Sequence, residues 1–399
     1  MNSKKLIVVL NQDRYRYYAY HQVTSLNDKI LCFYDQTGRL PDNSDIASNV
    51  TIIKKDSELT FEYIIDELEK YVSDCSEIAV VCTEEKYFVL AGQLREHLNL
   101  CTYGPGLETS VFFRDKVVMK QKVENWGFAV PKHAVISHST SYQDLSRLLD
   151  TDTFIVKPID GHGARKTYLV HNEAEFIECD IDCSGMFEAE KYIDGTLYHI
   201  DSIIEGGKII YSKPFEYSFP CYEYKNGKVI SSLELTEASP LYNKLTQYNE
   251  ALLSHLSGNH VIHLELFIDG EDIIFLEIAG RPPGGGLVPL HRIAHGVDFA
   301  QEAMKIQMLN GYKPRSVGKR EKYCTFFMVP SPKLTCVTKI DTPTFQSDVE
   351  FFYNNVNVGD ELNVSESVSQ NAAFYLVSSK EKSHIEADFQ MFKNHIMFT

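Results

Sequence analysis

The stretch that most limits what this chain can fold into is 263–286, HLELFIDGEDIIFLEIAGRPPGGG. Two apolar runs, 263–268 and 273–279, flank the turn-forming DGED of 269–272, which predicts an antiparallel hairpin. Alternation sets Leu264, Leu266, Ile268, Ile274, Leu276 and Ile278 on one face and His263, Glu265, Phe267, Phe275, Glu277 and Ala279 on the other. With Glu271 at the turn centre, Glu265 and Glu277 are equidistant from it. Their carboxylates are therefore expected to face each other, on side chains that start about 5 Å apart.

Like charges opposed on a half-buried face are destabilising unless something neutralises them. A hard divalent cation does so. Mg²⁺ takes one or two carboxylates and fills its other positions with water and substrate phosphate, and Mn²⁺ is an alternative. Arg281 follows with a planar fork for phosphate or carboxylate oxygens, Pro282 and Pro283 stiffen the exit, and Gly284, Gly285 and Gly286 bare their N–H groups to a ligand. A surface hairpin with two solvated glutamates fits the same residues, so the rest of the chain has to decide.

At 399 residues the chain has room for two or three domains, and 44% hydrophobic with 24% charged residues is the balance of an ordinary globular protein. A net charge of -16 argues against a nucleic-acid binder but leaves room for a local basic nucleotide site. The opening MNSKKLIVVLNQDR is too short in apolar residues for a signal peptide, and no apolar run approaches membrane-spanning length. The nine cysteines include no CxxC pair, and Cys179 and Cys183 lack partners for a zinc site, so reduced thiols of a cytoplasmic protein are expected.

Short apolar runs at 6–10, 30–34, 50–53 and 78–81, interleaved with helical patterns at 61–72 and 87–98, predict an N-terminal α/β domain with an open parallel sheet. Tyr15, Tyr17, Tyr18 and Tyr20 follow the first strand, where such sheets place ligand crevices, although packing is the commoner use of Tyr. A helix is expected from Arg114 or Asp115 to about Trp126, stopped by Gly127. Lys116 in its first turn opposes the helix dipole, which calls for an anion nearby; Lys120 and Lys122 read as a solvated face. In FIVKPIDGHGARKTYLV, Lys157 ends a strand and Gly161 and Gly163 make a loop with backbone donors, a combination that suits a polyphosphate. Strands are expected around 187–191 and 198–204, helices at 242–256 and 299–309, and the tail reads as strands closed by an amphipathic helix carrying Ile385, Phe389, Phe392 and Ile396.

Taken in order, FRDKVVMKQKVENWGFAVP, FIVKPIDGHGARKTYLV, FEAEKYIDGTLYHID, HLELFID and FLEIAGRPPGGG resemble the ATP-grasp superfamily, and VVCTEEKYFVLAGQLREHLNL resembles the segment before the core of L-amino-acid ligases. The resemblance implies three domains: 1–112, an N-terminal α/β domain; 113–315, an α+β ATP-grasp core; and 316–399, a small mixed C-terminal domain. It implies ATP and Mg²⁺ as cofactors, with Lys116 and Lys157 on the α- and β-phosphates and Gly161 and Gly163 closing over them. Adenine contacts fall to Glu190, Lys191, Tyr192 and Ile193, metal binding to Glu265 and Glu277, and the transferred phosphate to Arg281. The acidic ribose ligand common in the family is here Leu197, which passes ribose recognition to another group such as His199. The usual metal-binding Asn is Ala279, as in the E-I-A-x-R variant of L-amino-acid ligases, and Ala164 and Lys166 stand where serine and glycine are common.

The implied reaction is an ATP-dependent carboxylate-amine ligation through an acyl phosphate, releasing ADP and phosphate, with Arg281 and Gly284 to Gly286 at the substrate. Expected partners are a small carboxylate, such as an amino acid, and an amine; a carrier protein and a homodimer stay open. Three other readings share parts of the pattern: a carboxylate-thiol ligase loading a carrier protein, a non-catalytic nucleotide-binding regulator, and a biotin-dependent carboxylase component.

Overall fold

The computed structural model describes residues 5–10, 24–25, 27–42, 46–100, 104–181, 186–314 and 320–399. The four tyrosines after the first strand lie outside these described residues. Strands β1 (Lys5–Leu10), β2 (Lys29–Tyr34), β3 (Val50–Lys54) and β4 (Glu77–Val81) pair in parallel in the order β3-β2-β1-β4, as the sequence pattern predicts. Both faces of this sheet are covered, so β1 is buried along its whole length and apolar from Leu6 to Leu10. Leu6, Val8 and Leu10 pack with Ile64, Leu68 and Phe88 from the helices Phe61–Val72 and Phe88–His97. Ile7 and Val9 pack with Phe299, Ala303 and Met304 from the helix Phe299–Met308, which returns from more than 200 residues downstream.

A second sheet holds β5 (His133–Ile136), β6 (Phe154–Pro158), β7 (Tyr168–Val170) and β8 (Phe187–Lys191), all antiparallel, in the order β5-β8-β6-β7. The helix Lys116–Asn125 precedes it: the Asp115 carboxylate caps its start by accepting from the N–H groups of Val117 and Val118, and Gly127, at φ +91°, lets the chain leave. The third sheet contains β9 (Thr196–Glu205), β10 (Lys208–Tyr217), β11 (Ile230–Glu234), β12 (His260–Asp269), β13 (Asp272–Ala279), β14 (Tyr323–Pro330), β15 (Asp348–Asn354) and β16 (Asn371–Ser379). Its order is β13-β12-β9-β10-β11-β14-β16-β15, so the tail strands extend the same sheet through the β11–β14 pairing. The closing helix Lys382–Phe392 buries Ile385, Phe389 and Phe392, whereas Ile396 lies beyond its end and is 71% exposed.

The expected hairpin is β12–β13, and Glu265 stands opposite Glu277. Its register differs from simple alternation. Asp269 pairs with Asp272 and Leu266 with Phe275, which centres the turn between Gly270 and Glu271 rather than on Glu271. A β-bulge then inserts Leu276 as an extra residue and brings Glu277 back opposite Glu265. The shifted register also exchanges three side chains between faces: Ile274, opposite Phe267, packs with Phe267 and Leu197 instead of with Leu264. Phe275 joins the core with Leu264, Leu266 and Ile278, while Leu276 turns to the glutamate face and lines the cleft there.

Candidate active site

The glutamate face of the hairpin looks onto a cleft bounded by the second sheet, the glycine loop 160–166 and the middle of β14. Glu265 is 8% exposed, and one of its oxygens accepts from the Tyr217 hydroxyl at 3.1 Å and lies 3.2 Å from His263 Nε2. On its other side, His263 Nδ1 is 2.6 Å from Asp201 Oδ1. Burial pushes the His263 imidazole down, but Asp201 and Glu265 outweigh it and raise its pKa to about 9. A positively charged imidazole therefore clamps Glu265 in place. Glu277 is held more loosely, its side chain 32% exposed and its Oε2 3.5 Å from Lys116 Nζ.

Lys116 thus has the anion its place in the helix calls for. It also donates to the Gly161 carbonyl at 2.7 Å, which ties the glycine loop to the helix start. The second lysine enters from the end of β6: Lys157 Nζ donates to Glu190 Oε1 at 2.6 Å and lies 3.9 Å from Glu188. Beneath both glutamates sits Lys120, fully buried, bonded to Glu188 and 2.9 Å from Glu190 Oε2. Burial would raise the Glu190 carboxyl, but Lys120 and Lys157 bring its pKa down to about 2. The helix therefore contributes a buried ion-pair partner at Lys120 rather than the solvated face its sequence suggested.

Lys191, Tyr192 and Ile193 continue past Glu190 along the cleft, facing an apolar wall of Ile155, Leu197, Phe267 and Leu276. Gly161, Gly163, Arg281, Gly284 and Gly285 line the opposite end. Gly286 does not line the cleft: a Cβ there would stand 2.7 Å from Phe326, so its lack of a side chain serves packing. His199 is also misplaced by the sequence reading. It is completely buried, its ring stacked on Phe215 at 4.8 Å and bonded to Ser232, and it is absent from the cleft lining, so it has no access to a ribose.

The glycine loop is pinned from several sides. Besides Lys116, Lys225 Nζ donates to the Thr167 carbonyl at 2.6 Å, and the Val368 N–H donates to the Gly163 carbonyl at 3.3 Å. Within the loop Ala164 and Lys166 hold φ of +57° and +50°, a left-handed conformation that side chains disfavour. This is a physical counterpart of the sequence difference at those two positions.

One functional neighbour was missed by the sequence reading. Glu85, just after β4, accepts from Arg281 Nε at 2.7 Å and lies 2.7 Å from Arg281 Nη2, 3.8 Å from Arg114 Nη1 and 3.6 Å from His162 Nδ1. Burial opposes its charge, but Arg281, Arg114 and His162 lower its pKa to about 2. The N-terminal sheet thereby delivers an anion that orients the Arg281 fork from 196 residues away.

Two carboxylates, two lysines and an arginine thus converge on one cleft beneath a glycine loop. No family model matches the chain. A solved L-amino acid ligase from Bacillus licheniformis superposes with a TM-score of 0.74 at 16% identity, covering 100% of this chain and 99% of that one. The chain has the ATP-grasp fold. The same ATP-grasp architecture is shared with N5-carboxyaminoimidazole synthetase from Staphylococcus aureus, solved with ADP, at a TM-score of 0.63 and 14% identity over 99% of this chain and 98% of that one. In sequence, the L-arginine-specific L-amino acid ligase of Bacillus subtilis is 23% identical over 324 residues, 77% of each chain.

Proposed function

We propose that this protein is an ATP-dependent carboxylate-amine ligase that joins an amino acid or other small carboxylic acid to an amine through an acyl phosphate, releasing ADP and phosphate. The observation that carries this reading is the placing of Glu265, Glu277, Lys116, Lys157 and Arg281 around one cleft whose far end is apolar enough for a purine. The sequence similarity to an L-arginine-specific L-amino acid ligase supports the ligase class.

In this reading the base slides between Leu197, Phe267, Leu276 and Ile155, with Glu190 to Ile193 along its edge. Lys157 and Lys116 meet the phosphates from the strand end and the helix start, and the loop 160–166 covers them. The residues fit Mg²⁺: Glu265 and Glu277 are opposed in register on the cleft face, with His263 and Tyr217 presenting Glu265. Bound there, the ion would neutralise phosphate charge and hold the transferring group in line.

The substrate carboxylate lies at Arg281, near the N–H groups of Gly284 and Gly285. Its oxygen attacks the γ-phosphorus and ADP leaves. Lys116, Lys157 and Arg281 stabilise the equatorial charge in a site prearranged for it. The amine then adds to the acyl carbon, phosphate is expelled, and the closed loop keeps water from the acyl phosphate. The segments 1–112, 113–315 and 316–399 would divide the work: Glu85 from the first, the nucleotide site from the second, and Phe326, Met328 and Val368 from the third at the substrate end. The free cysteines among the described residues suit a cytoplasmic setting.

The test is phosphate release from ATP across the standard L-amino acids, singly and in pairs, with mass analysis of the products. ADP, phosphate and a dipeptide or amide are expected. AMP and pyrophosphate would replace this reading by adenylation, and turnover only with a carrier thiol would replace the amine by a thiol.

A further inference from the structure

Beyond the glycine loop from the nucleotide cleft lies a second cavity, walled by Leu59, Phe61, Tyr87 and Leu90. His162, in the middle of the loop, lines both cavities. Its Nδ1 stands 3.6 Å from one oxygen of Glu85, whose other oxygen grips Arg281 at 2.7 Å. One carboxylate therefore sets the imidazole beside the guanidinium at the reacting end of the cleft. Nε2 of the same ring has no hydrogen-bond partner among the described residues, and the side chain is 52% exposed. We propose that His162 is the general base of the second half-reaction, taking the proton of an amine that reaches the acyl phosphate through this second cavity.

The inference rests on the ligase reading above. An amine arrives at neutral pH as an ammonium ion and has no lone pair to attack with until a proton leaves. Lys116, Arg114 and Arg281 make the reacting end cationic, which favours that loss but does not accept the proton. The second cavity suits a cation better: Glu58, Glu62, Glu96 and Asp160 line it, while its cations Lys86 and Arg114 are engaged, Lys86 by Asp35 and Glu58 and Arg114 by Glu85 and the Asp160 carbonyl. Facing His162 are Glu85 from the N-terminal sheet, Arg114 ahead of the helix, Arg281 after the hairpin and Arg165 on its own loop. Partial burial lowers its pKa, Glu85 pulls it up, and Arg114, Arg281 and Arg165 push it down again, for a net value below the ordinary one. The ring is thus neutral and able to accept at pH 7.

In the step itself the ammonium ion first gives one proton to Nε2, the imidazolium passes it to solvent through the second cavity, and the freed amine nitrogen then forms the C–N bond as the carbonyl electron pair moves to oxygen. The tetrahedral adduct then collapses: the C–O bond to phosphate breaks with its electron pair on phosphate, and the departing phosphate takes the second proton of the nitrogen, leaving the neutral amide. Glu85 keeps the ring oriented through Nδ1.

The test compares two nucleophiles in His162→Gln, with the standard L-amino acids as carboxylate donors, ATP and Mg²⁺ present throughout. Hydroxylamine is neutral at neutral pH and needs no base to attack; an amino-acid amine does. Amide formation is expected to fall by about 10²–10³-fold and to lose its acid limb, while hydroxamate formation stays close to that of the parent protein. If both products fall together, His162 serves loop closure rather than proton transfer, and if neither falls it has no part in the chemistry; each result overturns the proposal. Absence of hydroxamate with the parent protein itself would overturn the acyl-phosphate reading, and is seen before any variant is made.

Discussion

Glu265 and Glu277 face each other in register, yet the fold treats them differently. Glu265 is buried and held by Tyr217 and His263, whereas Glu277 is a third exposed and forms an ion pair with Lys116 at 3.5 Å. Glu277 can therefore change charge without disturbing packing. Glu277→Gln is expected to lower Mg²⁺-dependent ATP turnover by about 10²–10³-fold and leave the melting temperature near that of the parent, because it removes charge but not volume. Retention of most turnover would remove Glu277 from the metal site. The pair itself was expected from the sequence, but its register rests on the bulge as well: with the turn centred between Gly270 and Glu271, plain alternation would set Glu265 opposite Leu276. The places of Glu85 and His199 were not legible there. Glu85 reaches Arg281 across 196 positions, a separation no local period records. His199 was assigned to a ribose by analogy of position, but β9 is central in its sheet and turns that side chain into the core.

The helix Lys116–Asn125 carries its function on two lysines one turn apart, Lys116 at the cleft and Lys120 beneath it. Its place in the first turn set Lys116 apart in the sequence, but nothing there separated Lys120 from Lys122, because a lysine on a helix reads as solvated unless its partners are known. Those partners, Glu188 and Glu190, belong to β8 and face the helix because strand alternation puts both on one side. Removing one member of a buried ion network leaves the others uncompensated, so Lys120→Met is expected to cost about 3–5 kcal/mol in denaturant unfolding. Adding Glu188→Gln should recover part of that loss, a non-additivity that marks direct coupling. The pH dependence has a defined sign. Glu190, depressed from 4.5 to about 2, contributes stability that is present above pH 4.5 and lost as pH falls through about 2. Without Lys120 that loss should begin at higher pH. A cost below about 1 kcal/mol, with an unmoved acid limb, would mean the network adds nothing to the fold. The hairpin teaches the complementary lesson: its existence was readable and its glutamate pairing expected, but the bulge at Leu276 was not readable, because one inserted residue leaves no mark on composition.

At the scale of the molecule the three expected segments share their cores. Leu6, Val8 and Phe33 of the first sheet lie in one apolar cluster with Ile200, Leu264 and Ile278 of the third, and the other face of that first sheet is closed by Phe299, Ala303 and Met304. The tail strands are joined to β11 by backbone pairing, and their Phe326 and Phe374 pack with Leu197, Phe267 and Leu287 around the cleft. The resemblance implied boundaries near 112 and 315, but it could not show that apolar faces on either side of those points bury each other. A segment that cannot bury its face alone does not unfold alone. Calorimetry of the whole chain is therefore expected to show one dominant transition rather than separate N-terminal, central and C-terminal ones. A chain ended before residue 320 should be insoluble, because it strips the cover from Leu287 and leaves β11 as a bare edge. ATP with Mg²⁺ should move that single transition upward as a unit, by about 2.7 kcal/mol when the ligand is at a hundred times its dissociation constant. Two well-separated transitions, of which only the later one responds to nucleotide, would show instead that the first sheet is a tethered neighbour. Glu85 would then be an occasional partner of Arg281 rather than part of its site.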